Sequence, residues 1–290
     1  MRFLLSILLI ACAASLATAQ SPTVLWQFQG IENICTLATL PDADGDGVPD
    51  VVVETYDAGA DGDHLYLLSG ASEGTAQVLW SIRPESGASN GGGYGDECVA
   101  VCDDLSGDGF PDVLLGTAWG NRSVHAVDGL TGAVLWTFDT YDEPDSGWIY
   151  AVRALPDRTG DGIPEVVFGG GSENHRGYLL DGSDGSIIWR FIGAGDAIGH
   201  TVSLPDMNDD GIADVLFCGW DNEHRVFCVS GAGSGAGAQI WSRDTGSSNY
   251  TACVMDDVTG DGVAEVVVGL WQASNQIVCL DGATGATVWT

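Results

Sequence analysis

Five short segments place oxygen-bearing side chains at alternate positions of a nine-residue turn, a spacing that wraps a hard divalent cation. The first runs DADGDGVPD and supplies Asp42, Asp44, Asp46 and Asp50 at positions one, three, five and nine. The others supply Asp104, Ser106, Asp108 and Asp112; Asp157, Thr159, Asp161 and Glu165; Asp206, Asn208, Asp210 and Asp214; and Asp257, Thr259, Asp261 and Glu265. Ca2+ takes about six to eight oxygen ligands, and a backbone carbonyl at position seven would add to each set. Gly45 and Gly47 permit the tight curvature of the first loop. Carboxylates gathered this way repel one another without a cation, so Ca2+ is the expected cofactor. An EF-hand opens with the same oxygens but needs a glutamate at position twelve and flanking helices. Position twelve of the first copy is Val53, inside a Val-Val-Val run, so that alternative fails.

The loops recur with a period that identifies what carries them. Their starts are separated by 62, 53, 49 and 51 residues. A second motif keeps the same period: AVDGLTGAVLW at 126–136, LLDGSDGSIIW at 179–189 and CLDGATGATVW at 279–289, with looser copies ending at Trp80 and Trp241. The looser copies are three residues longer before the Trp, which reads as a lengthened turn. Between these landmarks lie short β-branched runs and turn residues, with no helical periodicity. In one unit ECVAVCDD, PDVLLGTA, SVHAVDG and AVLWTFD read as four strands. Four short antiparallel strands repeated about every 50 residues predict an all-β chain, a β-propeller of four-stranded blades. The blades fall at about 31–82, 94–139, 147–193, 197–243 and 249–290, within a domain spanning 20–290. TVLWQF at 23–28 is an orphan copy of the fourth, Trp-bearing strand. It predicts a larger propeller of which this chain is a truncated part; a five-bladed ring with a redundant strand is the alternative.

The DxxGDGxx[DE] loops resemble FG-GAP (VCBS-type) repeats, the calcium-binding propeller units of integrin α-chains and of many secreted bacterial proteins. The AVDGLTGAVLW motif resembles the tryptophan-docking motif of pyrroloquinoline-quinone-type propellers. That second resemblance implies that Trp26, Trp80, Trp136, Trp189, Trp241 and Trp289 each pack against a neighbouring blade. Quinone-dependent dehydrogenases of this kind carry adjacent cysteines beside the cofactor, and this chain has no Cys-Cys pair. Some polysaccharide lyases also use calcium-bearing propellers, but no basic residue here is framed as a catalyst.

Composition narrows the partners. Nine Lys and Arg stand against 41 Asp and Glu, a formal charge of −32, and a field of that sign repels nucleic acid and anionic membrane surfaces. Residues 1–19 read as a secretory signal peptide: Arg2, an apolar run from Phe3, and Ala17-Thr18-Ala19 before Gln20. Leu9-Ile10-Ala11-Cys12 resembles a lipoprotein box, so lipid anchoring at Cys12 is the alternative to secretion. No other segment is apolar enough to span a bilayer. Removing the signal leaves seven cysteines, an odd number. They read mainly as small buried residues, with Cys218 and Cys228 placed to pair across a short loop. Without CxxC or HExxH, zinc chemistry has no support.

If the acidic loops join first and second strands, they share a lower face with the DGxTG turns, and the remaining loops form an upper face. Features that recur in every blade read as architecture, Trp119, Trp220 and Trp271 among them. The residues that do not recur are the ligand candidates: Tyr94, Asp96 and Glu97, Trp148 and Tyr150, and His200. GASEG at 70–74 matches a hydrolase elbow pattern but lies in a strand-to-strand turn. The expected function is a secreted, non-catalytic, calcium-binding scaffold for a protein or carbohydrate ligand. The alternative is a propeller enzyme, a quinone-dependent oxidoreductase or a polysaccharide lyase.

Overall fold

The computed structural model describes residues 23–30, 33–56, 62–84, 97–118, 122–143, 147–171, 175–220, 222–271 and 274–290. The signal segment at 1–19, with Cys12, lies outside these residues. Among them there is no α-helix, and every major element is a strand.

The strands form five four-stranded antiparallel sheets, each in simple chain order. Blade 1 contains Ile34–Leu40, Asp50–Thr55, Leu65–Leu68 and Val78–Ile82, and blade 2 contains Val99–Cys102, Asp112–Gly116, Ser123–Val127 and Val134–Asp139. Blade 3 contains Trp148–Leu155, Glu165–Gly171, Gly177–Leu180 and Ile187–Phe191. Blade 4 contains Ile198–Leu204, Asp214–Gly219, Arg225–Val229 and Gln239–Asp244, and blade 5 contains Ser248–Met255, Glu265–Trp271, Ile277–Leu280 and Thr287–Trp289. The chain is a β-propeller, as the repeat spacing predicts.

Second and third strands are apolar at successive positions because both of their faces are covered. Asp112–Gly116 and Ser123–Val127 are buried throughout, whereas the fourth strand Val134–Asp139 has no buried residue. The core is therefore a series of layers between adjacent sheets. One layer joins Val52, Leu65 and Leu67 of blade 1 to Val113, Leu115 and Val127 of blade 2. Equivalent layers join blades 2 and 3, 3 and 4, and 4 and 5. First strands of successive blades also pack on one another, which puts them innermost; no contact of comparable extent joins blade 5 to blade 1. The described sheets thus form an arc.

A relay of tryptophans ties the orphan strand and the outermost strands of blades 1 to 4 to the blade that follows each. The indole Nε1 donates to a turn carbonyl there: Trp26 to Gly70 at 3.2 Å, Trp80 to Gly129 at 3.0 Å, Trp136 to Gly182 at 2.7 Å, Trp189 to Gly231 at 3.4 Å and Trp241 to Gly282 at 2.7 Å. The turn must stay free of side chains. A Cβ on Gly185, whose φ is +74°, would come within 2.7 Å of the Trp136 ring, and one on Gly182 within 1.8 Å of the Pro164 carbonyl oxygen. The two lengthened turns do more than span a gap. Gly74–Thr75 pairs in parallel with Trp26–Gln27, and Gly235–Ala236 with Trp189 and Arg190 of blade 3. Gly235–Ala236 thus adds a fifth strand to the outer edge of blade 3, while Gly74–Thr75 forms a two-stranded sheet with the orphan strand.

All seven described cysteines are free thiols. Cys218 and Cys228 lie on adjacent strands, but their register partners are Val226 and Leu216, and the expected pairing is not made. Burial pushes the Cys35 thiol up to about 11 and raises Cys98, Cys102, Cys218 and Cys228 as well. High thiol pKa values make them unreactive packing residues.

Candidate functional site

Each acidic loop is organised by its own carboxylates. In the first, Asp42 Oδ1 accepts from the backbone N–H of Gly45 at 2.7 Å, and Oδ2 from that of Gly47 at 2.7 Å. Asp104, Asp157 and Asp257 make the same pair of bonds, to Gly107 and Gly109, Gly160 and Gly162, and Gly260 and Gly262. The fourth residue of the loop sits in the left-handed region, which favours glycine. Gly45 has φ +79°, and Asp209, which replaces glycine in the fourth copy, keeps φ +61°. Aspartate tolerates that conformation better than most side chains. Position five closes the turn, with Asp46 Oδ1 accepting from Val48 N at 2.8 Å and Asp210 Oδ1 from Ile212 N at 2.9 Å.

Position nine is the first residue of the second strand and is nearly inaccessible, at 0–1% exposure in all five copies. Asp50 accepts from Ala43 N at 2.8 Å and from Gly70 N at 3.0 Å. Asp112 and Asp214 repeat this arrangement, reaching Gly129 and Gly231. Glu165 and Glu265 turn both oxygens to the second and third residues of their own loops. A ninth-position acid therefore also anchors the loop to the strand, a task that ligand spacing alone does not disclose.

The first loop alone has a carboxylate at each of positions one, three, five and nine. Oxygens of Asp42, Asp44 and Asp50 all lie within 4.8 Å of one another. Asp46 Oδ2 accepts from Ser69 Oγ at 3.3 Å, and Asp210 Oδ2 from Ser230 Oγ at 3.2 Å. The electrostatics are divided. Backbone donors, Gly47 foremost, hold the Asp42 carboxyl below its ordinary range, and Gly160 and Gly260 do so for Asp157 and Asp257. Desolvation and then the neighbouring Asp46, Asp50 and Asp42 push Asp44 upward. Burial, reinforced by Asp210 and Asp206, lifts Asp214 to about 6. A divalent cation would reverse these upward shifts, and an all-oxygen donor set suits Ca2+ or Mg2+ rather than softer metals.

A second cluster lies on the innermost strands near the upper face. Glu97, at the head of blade 2, accepts from Arg153 Nη2 of blade 3, and its Oε2 lies 2.7 Å from His200 Nδ1 of blade 4. His200 Nε2 is 3.3 Å from the Ala252 carbonyl oxygen of blade 5, and Glu97 also bridges in parallel to Ala151. Burial works against ionisation of Glu97, but the hydrogen bond and charge of His200, and then those of Arg153, outweigh it and hold the carboxyl below its ordinary range. Four blades are thus joined by three side chains. Arg153 escaped the sequence reading; the available signal was an arginine inside a strand of a chain with only nine basic residues.

Trp148 and Tyr150 meet edge-on at 6.1 Å, and Tyr150 meets Trp220 of the next blade at 5.1 Å. Tyr250 and Trp271 lie 5.3 Å apart on blade 5. Trp220 and Trp271 are equivalent, each six residues after the first acid of its strand; Trp119 is seven after and lies outside the described residues, as do Tyr94 and Asp96. The structure therefore joins Glu97 to His200 and Trp148 to Tyr150 as two separate contacts.

A family described as FG-GAP-like repeat matches residues 206–268, which include the fourth acidic loop and the fifth. No curated protein matches the sequence. Among solved structures, the C-terminal WD40 domain of Sif2 is similar with a TM-score of 0.56 at 11% identity, over 88% of this chain and 58% of that one. The chain thus spans less than two thirds of that structure. The WD40 beta propeller domain of Doa1 is similar with a TM-score of 0.54 at 13% identity, over 90% of this chain and 69% of that one. These likenesses agree with the propeller fold.

Proposed function

We propose that this protein is a secreted scaffold whose blades are braced by Ca2+ at the acidic loops and whose upper face binds a protein or carbohydrate ligand without catalysis. The observation that carries the metal reading is the convergence of Asp42, Asp44 and Asp50 oxygens within 4.8 Å, in a loop whose backbone is already curled by Asp42. At positions one, three, five and nine the other four loops carry three carboxylates each where the first carries four, so the first should bind most tightly, since charge count tunes Ca2+ affinity. When bound, the ion would supply charge neutralisation and a link between the loop and the strand that follows it.

The scaffold reading is supported by how the polar groups of the inner rim are used. Glu97, Arg153 and His200 are engaged with one another and with a backbone carbonyl, which suits bracing better than proton transfer. The lower face carries the acidic loops, leaving the upper loops, which differ from blade to blade, to recognise a ligand from a rigid base.

The test is a calcium titration by calorimetry on the decalcified chain, followed by glycan and protein binding screens with and without chelator. Saturable Ca2+ uptake lost from the tightest site in Asp44→Ala supports the reading. No uptake at millimolar Ca2+ sinks the metal reading, and ligand cleavage or quinone-dependent oxidation sinks the non-catalytic one.

A further inference from the structure

Two Trp-bearing strands carry an added parallel strand, and both share a short signature. Gly74–Thr75 pairs with Trp26–Gln27, and Gly235–Ala236 with Trp189 and Arg190. In each case a phenylalanine follows the Trp by two residues, as Phe28 and Phe191. The bonds correspond: the Gln27 carbonyl accepts from Ala76 N at 2.9 Å and the Arg190 carbonyl from Gly237 N at 2.8 Å. Gly74 and Gly235 have φ +73° and +80°, which requires glycine at the first added position. The third added residue lies over the aromatic pair and must be small. Ala76 packs in one cluster with Trp26 and Phe28, and a Cβ on Gly237 would fall 3.0 Å from the Trp189 ring and 3.1 Å from Phe191 Cβ. Both added segments therefore read glycine, any residue, then alanine or glycine.

The signature occurs a third time, at Trp136-Thr137-Phe138 in the fourth strand of blade 2. The turn that follows it in blade 3, at 181–185, has the short form: Gly182 accepts from Trp136 Nε1, and no strand is added. Val134–Asp139 is thus the end strand of its sheet among the described residues. Its apolar side chains are correspondingly bare. Val134 and Leu135 are 40% and 36% exposed and Leu130 of the adjoining turn 42%, whereas the matching Ile187 and Ile188 of blade 3 are half-buried. Trp136 and Phe138 are half-buried, where Trp189 is fully buried and Phe191 nearly so. The open edges of blades 1 and 4 differ, with Ile82 and Arg243 in place of the phenylalanine, and a charged side chain on an edge strand discourages further pairing.

We propose that the outer edge of blade 2 is a docking site for an extended segment of a partner protein, which adds in parallel to Val134–Asp139 and carries glycine opposite Trp136 and glycine or alanine two residues later. Main-chain bonds to the carbonyls of Leu135 and Thr137 supply the affinity, and the small residue seated on Trp136 and Phe138 supplies the specificity. Asp128, Asp139 and Asp142 lie at the two ends of the strand in a chain of charge −32, so basic residues flanking the motif speed the encounter. The site is separate from the acidic loops and from the upper face.

The probe is a synthetic peptide that copies residues 230–238 behind two lysines. Amide resonances of 134–139 should shift and saturate at millimolar peptide, while those of 187–191 stay in place. A second peptide, with valine where Gly237 stands, should bind about tenfold more weakly because its side chain overpacks the aromatic pair. Replacing residues 181–186 of the protein with a copy of 230–238 gives blade 3 the lengthened turn. It should slow exchange of the Thr137 amide about tenfold, toward that of its counterpart Arg190, and abolish peptide binding. The peptide comparison decides the matter even where this graft fails to fold. No shift at 134–139 with millimolar peptide overturns the proposal, as do equal affinities of the two peptides or equal shifts at 78–82 and 239–244. A Thr137 amide that already exchanges as slowly as that of Arg190 in the unaltered chain overturns it too, because the edge would not be open.

Discussion

The lower and upper ends of the same strands are held together in different ways. At the lower end, each acidic loop is closed by bonds between residues two to seven apart, such as Asp42 to Gly45 and Gly47 and Asp50 to Ala43, and the device recurs in every blade. At the upper inner rim, Glu97, Arg153 and His200 come from three blades and form a single cluster. Local, repeated order can survive the loss of one copy. A unique cluster drawn from distant segments forms only after the blades have stacked, because each contact must first offset the entropy of closing a long loop. The lower face should therefore govern total stability, and the rim should govern the relative placement of blades 2 to 5.

Decalcification should separate the two ends most strongly. At a hundredfold excess over Kd, each loaded loop contributes about 2.7 kcal/mol, so stripping several sites should lower the Tm more than any single substitution. Calorimetric scans with and without chelator would check this, and an unchanged Tm would break the assignment of stability to the lower face. Next in size is Trp189→Ala, which empties a fully buried ring site between blades 3 and 4. It should cost about 3–5 kcal/mol in denaturant unfolding. Glu97→Gln leaves Arg153 and His200 without their anion and should cost about 1–3 kcal/mol, less than a wholly buried pair because the side chains of Glu97 and Arg153 are partly solvated. Calcium affinity should not change, and a loss of both together would show that the two ends are coupled.

His125 sharpens the comparison through pH. It lies inside blade 2, and burial drives its imidazole down to about 3, from an unfolded value of about 6.5. Between those values the unfolded chain binds a proton that the folded chain does not, so stability falls as pH drops from 6.5 toward 3. The slope approaches 1.4 kcal/mol per pH unit. His125→Phe should flatten that limb in urea titrations, while protonation of Glu97, whose carboxyl its partners hold low, adds a loss only at pH below about 4.3. The smallest effect belongs to Arg225→Ala, whose pair with Asp244 spans 4.0 Å on the surface. It should move stability by less than about 0.5 kcal/mol.

Much of this was legible in the chain because it is local. Alternating acids, the glycines between them and the Val-Val-Val runs identify loop and strand over a dozen residues, and five copies in register turn a weak pattern into a strong one. The Trp relay was legible for the same reason, with only the lengthened turns at 74–75 and 235–236 hiding a strand. The ninth-position acids were half legible. Their place in the alternating acidic pattern is local, but their bonds to Gly70, Gly129 and Gly231 depend on a turn some 20 residues downstream.

The amino-acid order by itself determined the repeat, the four-stranded unit and the positions of the acidic loops, because backbone geometry and the spacing of turn residues act over a few residues. Only the tertiary structure decided that Glu97 meets Arg153 and His200, that Cys218 and Cys228 stay apart, and that the described blades form an arc. Those outcomes depend on how sheets stack and in which register, and stacking is set by the summed fit of many side chains that no short stretch of residues contains.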